Sequence, residues 1–144
     1  MPSRISISAK LRKQVAERAN HLCEYCKSPQ NYSPGPFDTE HITPLSLGGN
    51  SDPANLAYAC NGCNGHKYNK TTAIDPVEEN IVSLYNPRVD KWLDHFCWDE
   101  VGTMIIGITP SGRATVDALR LNRAELIRLR ELLQIVGEHP PKEN

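Results

Sequence analysis

Long apolar runs are absent from this sequence of 144 residues. No segment approaches the roughly 18 to 20 consecutive apolar residues that a membrane-spanning helix requires, which argues against a membrane protein. Residues 1–10 are polar and lack the apolar stretch that marks a secretory signal. We therefore expect a cytoplasmic protein that does not span a membrane.

A strong net charge is also absent, because 16 Lys and Arg nearly balance 17 Asp and Glu. Such a chain is not a generally cationic nucleic-acid-binding protein. Its positive residues are instead concentrated near the N-terminus and again over residues 113–130. Local patches of this kind permit a surface for a polyanion without requiring one.

The length and composition fit one globular domain over residues 1–144. Hydrophobic residues make up 39% and charged residues 23% of the chain, which is ordinary globular usage. We therefore expect a single domain rather than a fibre or a disordered tail.

Five cysteines form two close pairs, Cys23 with Cys26 and Cys60 with Cys63, and leave Cys97 alone. Structural disulfides are not expected in a chain without a secretion signal. Two C-x-x-C pairs in one small chain are typical of a four-cysteine zinc site. The alternatives are a redox-active pair and buried free thiols.

The first half of the chain predicts a helix, two strands and a second helix. Apolar residues recur on one face of residues 10–20, and Ser8 is placed to cap that helix. Proline, glycine and serine make residues 28–36 and 45–50 loops. The remaining elements are predicted as strands over 37–43 and 56–59 and a helix over 63–72.

The second half predicts a hairpin and two helices. Residues 74–87 are expected to be an irregular connector, followed by a pair of strands within 98–109 around Gly102. Two helices are predicted over 113–121 and 123–136, the second capped by Asn122 and ended by Gly137. The aromatic cluster over 92–98 is interpreted as core, and Arg120, Arg123 and Arg130 as a solvated helix face.

One ordered set of polar residues lies between and beside the cysteine pairs. It consists of Glu40-His41-Ile42-x-Pro44-x-Ser46-x-Gly48-Gly49, then Asn55-Leu56, then Cys60-x-x-Cys63-Asn64-x-x-Lys67. This order and spacing resembles the HNH endonuclease family, in particular its stand-alone bacterial members with zinc knuckles.

The resemblance implies an α+β fold. Its core over residues 20–72 is a ββα-metal unit, two strands and a helix, stapled by zinc on the four paired cysteines. An N-terminal helix precedes that core, and a strand–helix extension over 73–144 follows it. A core of this size buries little apolar surface, which is why a metal is expected to stabilise it.

The resemblance also implies roles for four residues in cleavage of DNA. His41 corresponds to the general base, and an imidazole with a pKa near about 6.5 suits that task. Glu40 and Asn64 correspond to the two metal-ligand positions, whose oxygen donors favour Mg²⁺ or Mn²⁺. Asn55 corresponds to the central asparagine that secures the loop and orients the base.

Two features depart from the simplest pattern. Asn64 stands where the family name has histidine, a known variant, and His66 cannot replace it because it lies roughly 200° around the helix. Strict strand alternation would also place Glu40 and His41 on opposite faces, so that one site requires a bend in the chain.

The expected partner is DNA, with Lys67 and Lys70 as candidate phosphate contacts. The activity implied is metal-dependent hydrolysis that leaves 5′-phosphate and 3′-hydroxyl ends. A zinc-dependent DNA-binding module that does not cleave is the main alternative, and a thiol redox protein is a third possibility.

Overall fold

A computed structural model describes residues 7–142 of the chain. The first helix, α1 (Ala9–Arg18), begins where the Ser8 hydroxyl accepts a hydrogen bond from the Leu11 backbone N–H at 3.1 Å. Its buried Val15 packs with Leu56 and Tyr58. The predicted helix and its cap are confirmed.

Two strands and a helix follow α1 and form a ββα unit. Strand β1 (Asp38–His41) pairs antiparallel with β2 (Leu56–Ala59), so that His41 lies opposite Leu56. Helix α2 (Asn61–Lys67) begins directly after β2. It is shorter than predicted because Tyr68 adopts a positive φ of 50°, which ends the helical path.

After α2, the described residues up to 142 contain two further hairpins and three α-helices. The hairpins pair β3 (Thr72–Ile74) with β4 (Ile81–Ser83) and β5 (Phe96–Trp98) with β6 (Ile105–Gly107). The helices are α3 (Trp92–His95), α4 (Pro110–Leu119) and α5 (Ala124–Ile135). The hairpin expected around Gly102 and both C-terminal helices are confirmed.

The segment over 74–87 is not the irregular connector that was predicted. The β3–β4 hairpin occupies part of it, and Asp75 accepts hydrogen bonds from the backbone N–H groups of Val77 and Glu78 in the turn. Each of these two strands has only three residues and none of them is buried, so the sequence offers too short a stretch for the alternation by which a strand is recognised.

The ends of α5 differ in how well they were predicted. Asn122 does not cap this helix, because its side-chain amide instead pairs with the backbone N–H and C=O of Ile105 at 2.7 and 2.9 Å. Gly137 ends it as predicted, with a φ of 76° and an N–H bonded to the carbonyl of Gln134.

The expected solvated arginine face is wrong for two of its three members. Arg130 is only 2% exposed and donates to the carbonyl oxygens of Thr103 and Leu121. Arg123 is directed inward, toward the cysteine cluster. A helical repeat alone does not distinguish an arginine that donates to buried carbonyls from one that faces water.

One main core joins the ββα unit to the C-terminal elements. Its members include the four paired cysteines and the aromatic residues Trp92 and Phe96. The interpretation of the aromatic cluster as core is therefore confirmed. Within residues 7–142, none of the helices has the length and apolar character needed to cross a bilayer.

Candidate functional site

Four cysteine side chains converge in the interior. Cys23, Cys26, Cys60 and Cys63 are all buried, and their sulfur atoms lie within 4.8 Å of one another. The sulfur atoms of Cys26 and Cys60 are 3.7 Å apart. The knuckle over 23–26 is thereby brought against the junction of β2 and α2.

This arrangement fits structural zinc. Tetrahedral Zn²⁺ with Zn–S bonds of about 2.3 Å separates its sulfur ligands by about 3.8 Å, which is close to the distance between Cys26 and Cys60. Four thiolates are also a donor set that zinc prefers. The knuckle and the start of α2 supply the two halves of this thiol cluster, and a second group of three or more His, Cys, Asp or Glu that could hold a metal was not found among residues 7–142.

Glu40 lies on the face of β1 that packs against α2. Its carboxylate accepts a hydrogen bond from the Tyr25 hydroxyl and forms an ion pair with Lys67 at 3.1 Å. Burial raises the pKa of Glu40, and the positive charge of Lys67 and the Tyr25 hydrogen bond oppose that rise. Burial and the nearby Glu40 charge also raise the pKa of Tyr25, which keeps its hydroxyl a donor.

Lys67 occupies a different environment from the one expected of a phosphate contact. It is 1% exposed, and its ammonium group donates to Glu40 and to the carbonyl oxygens of His41 and Ile42. An ammonium group with these partners is unavailable to a phosphate at the surface. Its place three residues after Asn64 directs it toward β1, as helical geometry requires.

His41 is the last residue of β1 and is half-buried. Its Nε2 atom lies 2.9 Å from the Ser51 hydroxyl oxygen. Because His41 pairs with Leu56, it shares the face of the hairpin against which α1 packs, opposite the face of Glu40. Strand alternation therefore holds at these two residues, and the bend expected between them is not found within β1. Partial burial, followed by the positive charges of Arg12 and Lys67, lowers the pKa of His41.

Asn55 closes the loop that follows His41. Its side-chain oxygen accepts from the Thr43 N–H at 2.9 Å, and its amide nitrogen donates to the carbonyl oxygens of Thr43 and Asn50 at 2.9 and 2.7 Å. The Asn55 carbonyl also accepts from the Ile42 N–H. Both ends of the loop are thus tied to one residue directly before β2.

Asn64 lies on α2 and is half-buried against β1. Its amide nitrogen donates to the Asp38 carboxylate at 3.0 Å, which directs the amide oxygen away from Asp38. Glu40 and Asn64 therefore share the β1–α2 interface but have different hydrogen-bond partners. Lys70 is exposed and donates to the carbonyl of His66.

Three partners of the expected site residues were not identified from the sequence. Asp38 had a signal, since it lies two residues before Glu40 and therefore on the same strand face. Tyr25 had none beyond its place between two cysteines. Ser51 is a loop serine like its neighbours, so only the folded chain shows that it reaches His41.

The family comparison agrees with this geometry. Residues 23–70 match the model of the HNH endonuclease family, described as HNH endonuclease. The match begins at the first cysteine of the cluster and includes β1, β2 and α2. Searches of curated proteins and of solved structures gave no significant match.

The HNH endonucleases are phosphodiester hydrolases. Similarity to this family implies metal-dependent nuclease activity with DNA as the substrate. The ββα unit, the buried thiol cluster and the matched segment coincide in the chain. Residues 23–70 of this protein form an HNH endonuclease domain.

Proposed function

We propose that this protein cleaves DNA with His41 as general base and with Glu40 and Asn64 as the residues that hold one divalent cation. The observation that carries the proposal is the thiol cluster, which fastens the β2–α2 junction to the knuckle. As a result, the end of β1 with Glu40 and His41 lies beside the helix that bears Asn64.

His41 has the protonation state that a general base needs. Its lowered pKa favours the neutral imidazole at pH 7. In the tautomer whose Nε2–H donates to the Ser51 hydroxyl, the Nδ1 atom is left to accept a proton from water. Asn55 fixes the start of the following loop and so maintains the position of the imidazole.

Glu40 and Asn64 supply oxygen donors of the kind that hard divalent cations prefer. Because Glu40 leaves the face of the hairpin opposite to His41, and Asn64 lies on α2 beside that same face, we place the reacting phosphate at the open end of β1, where the chain turns at Ile42 to Pro44. A cation bound there supplies charge neutralisation for the phosphate and the leaving 3′ oxygen. The Glu40 carboxylate would then bind both the Lys67 ammonium group and the divalent cation.

The test is cleavage of supercoiled plasmid by zinc-loaded protein with Mg²⁺ or Mn²⁺. We expect His41→Ala to lower the rate by about 10²- to 10⁴-fold, the usual contribution of a general base. His66→Ala is the matched control, because His66 lies on α2 outside the proposed site, and it should cleave like the wild type. Equal cleavage by the His41→Ala protein would overturn the proposal.

A DNA-binding module without cleavage is a second candidate, favoured by one observation. Both oxygens of the Glu40 carboxylate already have partners, and the residue is 5% exposed. A divalent cation would have to compete with the Lys67 ammonium group. Magnesium-independent DNA binding by the wild type, without nicking in any of the metals tested, would favour this candidate.

Lys70 remains the lysine that we propose as a phosphate contact, because it is exposed near the end of α2. Replacement by glutamine should weaken binding to all DNA sequences alike and reduce its salt dependence. The division into a core over 20–72 and an extension over 73–144 stays a prediction, as does the cytoplasmic location.

A further inference from the structure

An arginine from the C-terminal extension reaches the thiol cluster. The guanidinium group of Arg123 lies 3.7 Å from the Cys60 sulfur and 3.8 Å from the Cys63 sulfur. Its other terminal nitrogen lies 3.8 Å from Cys63 and donates to the Leu119 carbonyl at 2.9 Å. Arg123 thus connects the end of α4 to the second cysteine pair.

The guanidinium group is held closely in this place. The side chain is 10% exposed, and its Nε atom lies 3.3 Å from a carboxylate oxygen of Glu125. A Cβ atom added at Gly62 would lie only 2.6 Å from the terminal nitrogen of Arg123. The guanidinium therefore packs directly over the turn between Cys60 and Cys63, in space that the glycine leaves open.

This contact has a clear electrostatic consequence for a loaded site. Four thiolates around one Zn²⁺ leave a net negative charge in the protein interior, where charge is poorly solvated. A positive group with N–H donors aimed at two of the sulfur atoms offsets that charge and fixes the ligands in place. Arginine suits this task because its donors are spread over a rigid plane.

We propose that Arg123 is a positioning residue of the zinc site, whose hydrogen bonds to the Cys60 and Cys63 thiolates retain the metal. The HNH domain then depends on residues well beyond its matched segment for tight zinc binding. This inference requires zinc in the thiol cluster but not cleavage of DNA, so it stands or falls independently of the nuclease proposal.

Gly62→Ala tests the proposal without removing any charge. The added methyl group meets the end of a flexible side chain, so Arg123 moves rather than the backbone. Gly65→Ala is the matched control, since it lies on the same helix with no atom within 4 Å of the added Cβ. Both changes replace glycine by alanine within α2 and so favour the helix, which leaves the displaced guanidinium as the main difference between them.

The measurement is the transfer of zinc from the purified full chain to a chromogenic chelator in excess. We expect Gly62→Ala to hold zinc about 10- to 100-fold more weakly than wild type, the usual effect of losing an outer partner of a metal ligand. Gly65→Ala should match wild type. Equal zinc retention by the two glycine variants would overturn the proposal.

Substitution of the arginine itself provides a second test. Arg123→Met removes both charge and donors, whereas Arg123→Lys keeps the charge and should retain zinc better. Arg128→Gln, an exposed position on α5, is the control. A positioning role predicts a graded loss from wild type to lysine to methionine, together with faster reaction of the cysteines with a thiol reagent. Wild-type zinc affinity in the Arg123→Met protein would contradict the positioning role. If Arg123→Met does not fold, the comparison of Gly62→Ala with Gly65→Ala still decides the question.

Discussion

Lys67 and Glu40 form an ion pair in the interior, with the ammonium nitrogen 3.1 Å from a carboxylate oxygen and both side chains at most 3% exposed. The pair joins α2 to β1 within the proposed site, because Glu40 is one of the two residues proposed to hold the cation. Its two members were assigned to different tasks by sequence alone, one to a cation and the other to DNA. Their contact means that a change to either one alters the other.

Loss of Lys67 should therefore be costly. Lys67→Met leaves the Glu40 carboxylate buried without a counter-charge, which typically destabilises a protein by about 3–5 kcal/mol. Denaturant unfolding of the zinc-loaded protein measures this change. The double variant with Glu40→Gln should recover part of the loss, because no charge is then left unpaired. A Lys67→Met protein as stable as wild type would show that the ion pair does not form.

Asn55→Ala should release the loop without unfolding the core. Three side-chain hydrogen bonds disappear, for which we expect a loss of about 1–3 kcal/mol. Amide hydrogen exchange locates the effect. The Thr43 N–H should exchange faster, because its acceptor is the removed side chain. The Ile42 N–H, which donates to the Asn55 backbone, is the internal control and should stay protected. Unchanged exchange at Thr43 would contradict this role.

Zinc binding should depend on Cys60 and not on Cys97. Cys60→Ser removes one of four converging thiols, so we expect loss of stoichiometric zinc and of the core fold. Cys97→Ser is the matched control, because Cys97 lies on β5 outside the cluster. Metal analysis and tryptophan fluorescence report both effects, since the Trp92 indole donates to the Tyr25 carbonyl within the knuckle. A folded Cys60→Ser protein without zinc would refute the structural role of the metal.

Acid should remove the contribution of Asp75. Arg113 donates to both oxygens of this buried carboxylate, and those hydrogen bonds lower the pKa of Asp75 to about 2. A carboxyl group whose pKa is lowered by folding stabilises the protein above its unfolded value of about 3.9 and loses that effect as the pH falls.

The difference in melting temperature between wild type and Asp75→Asn, measured over a range of pH, reports the stabilisation that the ionised Asp75 carboxylate provides. We expect the advantage of the wild type to be full near pH 6 and to shrink between about pH 4 and pH 2. Both proteins lose thiolate ligands alike in acid, so the difference between them reports Asp75. Exposed Asp94→Asn is the control. An advantage that did not change with pH would argue against the pairing with Arg113.

The parts of the fold that were predictable have strong local signals. Short sequence patterns were sufficient to predict three features: the cluster of the two cysteine pairs, the motif from Glu40 to Asn64, and helix α1 with its apolar repeat. The β3–β4 hairpin carries little such signal, because its strands have three residues each and pack against α4, which is distant in sequence. Local pattern is insufficient for elements of that kind.

Buried charged residues are where prediction from local sequence pattern fails most clearly. Lys67, Arg123 and Arg130 have the helical positions of solvated residues, and each is largely buried by a partner distant in sequence. Their partners come together only through tertiary folding: Glu40, the four backbone carbonyl acceptors of Arg130 and Lys67, and the thiols of Cys60 and Cys63. The types of these residues suggested surface roles, whereas their partners determine what they do.

The hydrogen bonds of Asn55 to Thr43 and Asn50 hold the base of the loop that follows β1, and they leave its tip over residues 45–47 without such contacts to Asn55. Leu45 and Leu47 at the tip are 46% and 58% exposed, whereas a side chain at Gly49 would collide with the Thr43 carbonyl. Variation is therefore restricted at the base and permitted over residues 45–47. Substitutions over residues 45–47 can therefore change the surface of this loop and leave the Asn55 hydrogen bonds at its base intact.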